Sequence, residues 1–176
     1  MELRRLKIED GSWTEFETDW KGQCAEVGDS FESYASSSIS VFKKAATDLS
    51  PTEWSVALQI EDKFMAAAWA NCTTQKGYVG KVLRIREVVV CPFLDYGTLS
   101  EDDYVDTLIG LLNGAVKLSE SGLMAKHIKM HLRSPADSRF FRAVGNTLDS
   151  KGVFEATESH GAWLSFTKHG VALKAI

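Results

Sequence analysis

Four basic or titratable side chains alternate with apolar ones in the last third of this sequence. They are His127, Lys129, His131 and Arg133. Because successive residues of a strand point to opposite faces, all four share one face if residues 127–133 form a strand. Such a face could dock an acidic protein partner, a phosphate or nucleic acid, or it could be an ordinary solvated surface. No serine or cysteine nucleophile is placed near the histidine pair, so catalysis by it is not predicted.

The cysteines offer no second site. Cys24, Cys72 and Cys91 are odd in number, far apart and in no CxxC pair. The histidines do not form ligand spacings with them, so no metal site is predicted. The expectation is reduced, buried thiols in a cytoplasmic protein.

Composition limits the classes of protein that fit. The 176 residues are 44% hydrophobic and 25% charged, with a net charge of −4. These values predict one globular domain over residues 1–176. The negative charge gives no general attraction to nucleic acid or to an anionic membrane, so neither is predicted as a partner. No apolar run approaches the roughly 20 residues of a membrane span, and residues 1–6 lack the apolar segment of a secretory signal.

The first half of the chain predicts two helices between a first strand at residues 3–8 and a run of three strands. Ser12 and Glu15 have the spacing of a capping box, which predicts a helix over residues 12–23. Asp29 predicts the start of the second helix. Its inward side would carry Phe31, Tyr34, Val41 and Phe42. The three strands are predicted at residues 54–60 (half-buried, by its alternation), 64–72 and 79–91.

The second half predicts two helices and three strands. After a loop over residues 93–99, Ser100 predicts the cap of a helix that Gly122 ends. The remaining elements are predicted as a strand at 127–133, a helix at 135–148 and strands at 153–157 and 162–168.

Four segments resemble the GCN5-related N-acetyltransferase (GNAT) superfamily. Residues 86–92 resemble its central strand with a V-x-P ending, and residues 138–145 resemble its later helix, where an aromatic residue is followed by a basic residue and glycine. Residues 151–154 and 162–168 resemble its last two strands. The order β-α-α-β-β-β-α-β-α-β-β is that of the GNAT-like acyl-CoA N-acyltransferase fold, a mixed α/β class. Another mixed α/β fold with the same order is the alternative.

The cofactor loop departs from this resemblance. GNAT enzymes carry a Q/R-x-x-G-x-G/A loop there, and its backbone amides and the following helix start bind the pyrophosphate of acetyl-CoA. Here residues 93–103 contain one glycine, no arginine and no glutamine. They also contain four acids, Asp95, Glu101, Asp102 and Asp103. These acids either oppose a phosphate or simply stabilise a helix start. No cofactor is therefore expected, or acetyl-CoA if the protein is active.

The resemblance implies catalytic and binding positions only for an active protein. Glu87 falls where the family carries a strand glutamate that acts as general base, although it could equally pair with Arg84 or Arg86. Backbone amides around Val88, Val89 and Val90 would pair with the cofactor's pantetheine.

The position of the family's acid tyrosine is also changed. Phe140 and Phe141 stand there and have no proton to donate. Tyr96 and Tyr104 are the possible substitutes.

Two functions remain open on this basis. The first is a degenerate, non-catalytic GNAT-fold protein that serves in assembly or protein contacts through the basic face at residues 127–133. The last third of the chain resembles degenerate GNAT-like proteins of tailed phages, which implies a virion component. The alternative is an active acyl-CoA-dependent N-acetyltransferase with a divergent cofactor loop.

Overall fold

The computed structural model describes residues 1–132 and 134–169, without the side chains of residues 136 and 137. Arg133, the last member of the predicted basic face, lies outside the described residues. The helices are α1 (Ser12–Glu26), α2 (Ser36–Asp48), α3 (Pro92–Asp95), α4 (Glu101–Ser121) and α5 (Pro135–Ser150). The strands are β1 (Glu2–Leu6), β2 (Glu53–Ile60), β3 (Lys63–Thr74), β4 (Lys81–Val90), β5 (His127–His131), β6 (Ala156–His160) and β7 (Trp163–Thr167).

All seven of these strands form one mixed sheet in the order β1-β2-β3-β4-β5-β7-β6. The β4–β5 pair is parallel, and the other neighbours are antiparallel. A parallel pair needs a crossover connection, which α4 supplies between β4 and β5. The arrangement confirms the predicted mixed α/β fold class and element order, with the short helix α3 added inside the predicted loop.

Helices cover both sides of the sheet and bury a separate apolar cluster on each. On the side that we call the α4 side, α4 and α5 pack over β3, β4, β5 and β7, with Leu108, Leu111 and Phe141 buried. On the other side, the α2 side, α1 and α2 pack over β2 and β3 with Phe16 and Phe42. Because β2 lies between the two layers, Ser55 to Leu58 are buried on both faces rather than half-buried as predicted.

The start of α1 differs from the predicted capping box. Ser12 is the first helical residue, and its hydroxyl accepts the backbone N–H of Lys7 (2.8 Å) at the end of β1. Asp10 instead accepts the backbone N–H of Ser12 (3.0 Å), while Glu15 forms an ion pair with Arg4 (3.1 Å). The serine that the sequence pattern assigned to the helix cap thus holds the short connection between β1 and α1 in place.

The second helix starts later than predicted. Asp29 accepts hydrogen bonds from the turn at Ser30 and Ser33, and Ala35 adopts a positive φ of 45° before α2 begins. Phe31, Tyr34 and Phe42 are buried as expected, but Val41 is exposed.

The closing hairpin is also shifted. The strand predicted at residues 153–157 begins at Ala156, because α5 extends to Ser150 and a turn at Gly152 (φ 63°) follows it. The turn of the hairpin lies at Gly161 (φ 58°).

No helix within the described ranges is both long and apolar enough to cross a membrane.

Candidate functional site

A β-bulge interrupts β4 at Glu87 and Val88. Ala67 of β3 pairs with Val89 and Trp69 pairs with Arg86, so one β3 residue opposes two residues of β4. Glu87 has a φ of 52°, a left-handed conformation that L residues with side chains adopt at a cost of about 1 kcal/mol or more. Bulges recur beside active sites because they redirect side chains and end strand pairing.

Strands β4 and β5 separate just before this bulge. Their parallel pairing runs from Val82–His127 to Ile85–Met130, and no further β4 residue pairs with a described residue of β5. Val89 and Val90 still pair with β3 on their other side. One backbone edge of β4 is therefore available between the two strands.

A cavity of about 530 Å³ occupies the gap, and we call it the β4 cleft. Its walls come from both sides of the sheet: the α1–α2 connection and α3 on the α2 side, and the start of α4 on the other. The lining residues used below are Val88, Val89, Val90, Asp29, Tyr34, Asp95, Tyr96 and Tyr104. The three valines predicted to contact a cofactor thus lie in the cleft.

Tyr34 closes part of the available strand edge. Its hydroxyl donates a hydrogen bond to the carbonyl oxygen of Val90 (2.8 Å), and its ring is buried. Burial raises the pKa of this phenol far above its ordinary value, so it stays protonated. Sequence reasoning placed Tyr34 on the buried side of a helix and missed this contact, because it joins residues 56 positions apart.

Tyr96, one of the two tyrosines that could act as general acid, is hydrogen-bonded to a carboxylate. Its hydroxyl donates to Asp29 (2.7 Å), and this bond raises the pKa of Tyr96 while it lowers the pKa of Asp29. Tyr104 also lines the cleft, where it packs against the α4-side cluster. Both predicted substitutes therefore line the cleft. Phe141 lies in the α4-side core and Phe140 packs beside it.

Glu87 lies on the α2 side of the sheet. Its carboxylate accepts a hydrogen bond from the hydroxyl of Ser38 in α2 (3.3 Å). Val88 packs instead against the α4-side cluster. The bulge therefore places the predicted base beside the cleft and on the side opposite to α4.

Backbone N–H groups at the start of α4 are hydrogen-bonded by side chains of the same segment. Ser100 accepts the backbone N–H of Asp103 (3.2 Å), and the Asp103 carboxylate accepts the backbone N–H of Ser100 (2.9 Å). This capping box confirms the predicted helix start. With Glu101 and Asp102 in the same turn, the site at which the GNAT resemblance expects a pyrophosphate already holds carboxylates.

The predicted basic face is brought together only in part. Val82 pairs with His127 and Arg84 with Lys129, which puts the side chains of β5 beside those of β4 on the α2 side. His127 is buried, and its ring nitrogens contact the Thr167 hydroxyl and the Val79 carbonyl, each at 3.0 Å. Lys129 and His131 are half-buried. His127 is thus a structural residue rather than part of a docking surface.

The three cysteines are free and buried, as predicted. Burial raises the pKa of the Cys91 thiol to about 11, so it carries little thiolate at neutral pH. Cys91 lies directly after β4, yet its sulfur is not a nucleophile for the cleft.

A larger groove of about 770 Å³ lies between α4, α5 and the end of β7. Its lining is mainly apolar and reaches His169, the last described residue at that end. Its two lysines are engaged, since Lys168 donates to the Ser119 carbonyl (3.2 Å) and Lys126 forms an ion pair with Glu155 (3.4 Å), so we assign no chemistry to it.

No protein-family model and no curated protein sequence matches this chain. Among solved structures, it is similar to an acetyltransferase of the GNAT family from Streptococcus pneumoniae, with 12% identity, a TM-score of 0.45 and coverage of 95% of this chain and 98% of that one. It is also similar to the aminoglycoside 6'-N-acetyltransferase from Enterococcus faecium, with 9% identity, a TM-score of 0.44 and coverage of 95% and 97%.

Proposed function

We propose that this protein is an acyl-CoA-dependent N-acyltransferase with a divergent cofactor site. The observation that carries the proposal is the bulge at Glu87, which separates β4 from β5 and opens the β4 cleft beside a carboxylate. A sheet built only for stability gains nothing from a strained central strand whose pairing with one neighbour stops early, because each buried backbone polar group needs a partner.

The cleft fits one half of acetyl-CoA and not the other. The available edge of β4 at Val88 to Val90 offers backbone groups to an extended chain of amides, as the GNAT resemblance implies for pantetheine. The start of α4 does not fit a pyrophosphate, because Asp103 caps it and two further acids flank it. Binding would rest on the strand edge, with an affinity below that of a site that also holds the phosphates.

Glu87 would act as the general base. When bound, the acyl thioester would supply the acyl group: the amine nitrogen would form the amide bond as the carbon–sulfur bond breaks, and the departing CoA thiolate would take a proton from solvent. Glu87 would take the proton that the amine nitrogen loses, and the Ser38 hydroxyl would hold the carboxylate in place.

The Glu87→Gln variant tests this role. General-base removal lowers transfer roughly 100- to 10,000-fold, so we expect that loss in acyl transfer to an amine panel while acetyl-CoA binding by calorimetry is unchanged. Glu61→Gln, in the exposed turn between β2 and β3, is the matched control and should behave like the wild type. Transfer that survives in Glu87→Gln, or absence of acetyl-CoA binding at millimolar concentration, would count against the proposal.

A second candidate function is a non-catalytic role in protein contacts or assembly. The acidic, self-capped start of α4 favours it, since nothing there attracts an anionic cofactor. On this hypothesis Glu87→Gln leaves biological function intact, and charge reversal at Lys129 weakens association with a protein partner.

A further inference from the structure

Arg86 is held between two indole rings on the α2 side of the sheet. Its guanidinium carbon lies 5.1 Å from the ring centre of Trp69 and 5.7 Å from that of Trp163. Trp69 belongs to β3 on one side of β4, and Trp163 belongs to β7, two strands away on the other. Aromatic rings from both sides of β4 therefore contact the cation.

A second cation lies next to this group. The amino group of Lys129 is 5.1 Å from the ring centre of Tyr78 and 5.4 Å from that of Trp163. Trp163 thus contacts both cations. We call Trp69, Arg86, Lys129 and Trp163 the cation–aromatic cluster.

Neither cation of the cluster forms an ion pair with a described carboxylate, a set that leaves out the side chain of residue 137. No oxygen of that set lies within 4.0 Å of the charged nitrogens of Arg86 or Lys129. The Nε–H of Arg86 is buried without a hydrogen-bond partner, and so is the hydroxyl of Ser55, which stands opposite Trp69. Partly buried cations are normally compensated by an anion, since loss of hydration is costly.

The bulge connects this cluster to the proposed reaction. In a regular strand Arg86 and Glu87 would point to opposite faces. Here Glu87 contacts Ser38 of α2, while Arg86 contacts Trp69 and Trp163, so both side chains lie on the α2 side. A cationic site thus adjoins the carboxylate proposed to accept the amine proton.

We propose that the cation–aromatic cluster binds a carboxylate of the acyl acceptor, which makes the acceptor an amino-acid-type molecule. The assignment to the acceptor rests on the proposed acyltransferase function, whereas the carboxylate site does not. A guanidinium offers a planar fork of N–H donors, and a carboxylate lies in the same plane.

The test measures binding without an acyl donor. The two main probes are N-acetylglycine, which carries the carboxylate, and N-acetylglycinamide, which lacks it. Inorganic phosphate and an acidic tetrapeptide are tested in the same way. NMR spectra of 15N-labelled protein report the indole N–H signals of Trp69 and Trp163. We expect N-acetylglycine to shift both signals saturably, with the amide, phosphate and peptide weaker by roughly tenfold or more.

Two Arg86 variants separate charge from geometry. Arg86→Gln should weaken N-acetylglycine binding roughly 10- to 100-fold, and Arg86→Lys should retain part of it, because charge remains while the fork is lost. Arg139→Gln, an exposed residue of α5 on the other layer, is the control and should bind normally. The backbone spectrum of each variant shows whether the fold is kept.

The outcomes distinguish this inference from the proposed function. Equal binding of the acid and its amide, unchanged binding in Arg86→Gln, or tighter binding of phosphate or the acidic peptide would overturn the carboxylate site. If N-acetylglycine binds as expected but no amine is acylated, the site stands and the acyltransferase proposal fails. If amines without a carboxylate are acylated as fast as amino acids, the acyltransferase stands and the acceptor assignment fails.

Discussion

Glu87 shows how the conformation of one residue determines which groups act together. Its positive φ is unusual for a residue with a side chain, and it brings the carboxylate onto the side that already holds Arg86. Sequence alone identified Glu87 as a candidate base and paired it with Arg84 or Arg86 as the alternative. The structure shows instead that Arg86 contacts two indoles and Arg84 contacts Asn71 and Thr73.

Tyr34 is the second residue whose single contact matters. We expect Tyr34→Phe to lower the free energy of unfolding by about 1–2 kcal/mol, because the buried carbonyl of Val90 loses its donor. The control is Tyr96→Phe, whose hydrogen bond to Asp29 is exposed to solvent and should contribute little to stability. Urea denaturation measures both variants. Equal destabilisation by the two changes would show that the bond to Val90 has no special weight.

At the residue scale, sequence could predict positions that follow one another along a single strand. Val88 to Val90 line the cleft and Glu87 directly precedes them in β4, while their roles in binding and catalysis stay predictions. The cluster of Trp69, Arg86 and Trp163 could not be predicted in this way, because its members come from three strands whose order only the fold defines.

The start of α4 is the element on which the two proposed functions differ most. We expect the double variant Glu101→Gln and Asp102→Asn to bind acetyl-CoA several-fold more tightly at low salt, since two like charges near the phosphates are removed. The capping box of Ser100 and Asp103 remains intact in this variant. Calorimetric titration at low and high salt measures the effect, which salt should reduce. An unchanged affinity would mean that the phosphates bind away from α4.

The same helix start should make stability depend on pH. Hydrogen bonds from Ser100 hold the pKa of Asp103 below its usual value of 3.8. A depressed folded-state pKa stabilises the fold above the unfolded value, and that stability is lost as pH falls through the folded value. Asp103→Asn should therefore be less stable than the wild type at pH 7, and the difference should shrink below pH 3.8.

Urea midpoints at pH 7 and pH 3 check this expectation. Asp106→Asn, one turn further along α4, serves as the control. A stability difference for Asp103→Asn that is the same at both pH values would show that the carboxylate's charge does not contribute through the cap.

Element boundaries were predictable where a local signal acts alone. The cap at Ser100 is one such case, because its partners are three residues away. The cap at Ser12 was wrong, because the hydroxyl turned to the end of β1, and the start of α2 was wrong, because Asp29 orders a separate turn. Both errors have the same cause. Ser12 and Asp29 can each bond to more than one nearby backbone group, and the tertiary fold determines which of these hydrogen bonds forms.

At the scale of the whole molecule, α4 packs against β1 through two glycines. A side chain at Gly114 would collide with the Cβ of Leu3, whereas one at Gly110 would mainly meet the flexible end of Met1. Alanine gains about 1 kcal/mol over glycine in a helix interior, but overpacking costs about 1–3 kcal/mol. We expect Gly110→Ala to be neutral or slightly stabilising and Gly114→Ala to be destabilising in chemical denaturation. Equal changes in the free energy of unfolding would mean that β1 shifts to accommodate a side chain at Gly114 without a large cost.

The bulge has a consequence for how this protein could gain or lose its cleft. Arg86 and Val89 face the α2 side and Val88 faces the α4 side. If Glu87 alone were removed, successive side chains of β4 would therefore point to alternate sides of the sheet, as in a regular strand. Neither apolar face would change its residues. Deletion of one codon could therefore convert the cleft-bearing strand into a regular one within the same fold, and insertion of one codon could restore it. The cleft could therefore be lost or regained while the fold stays the same.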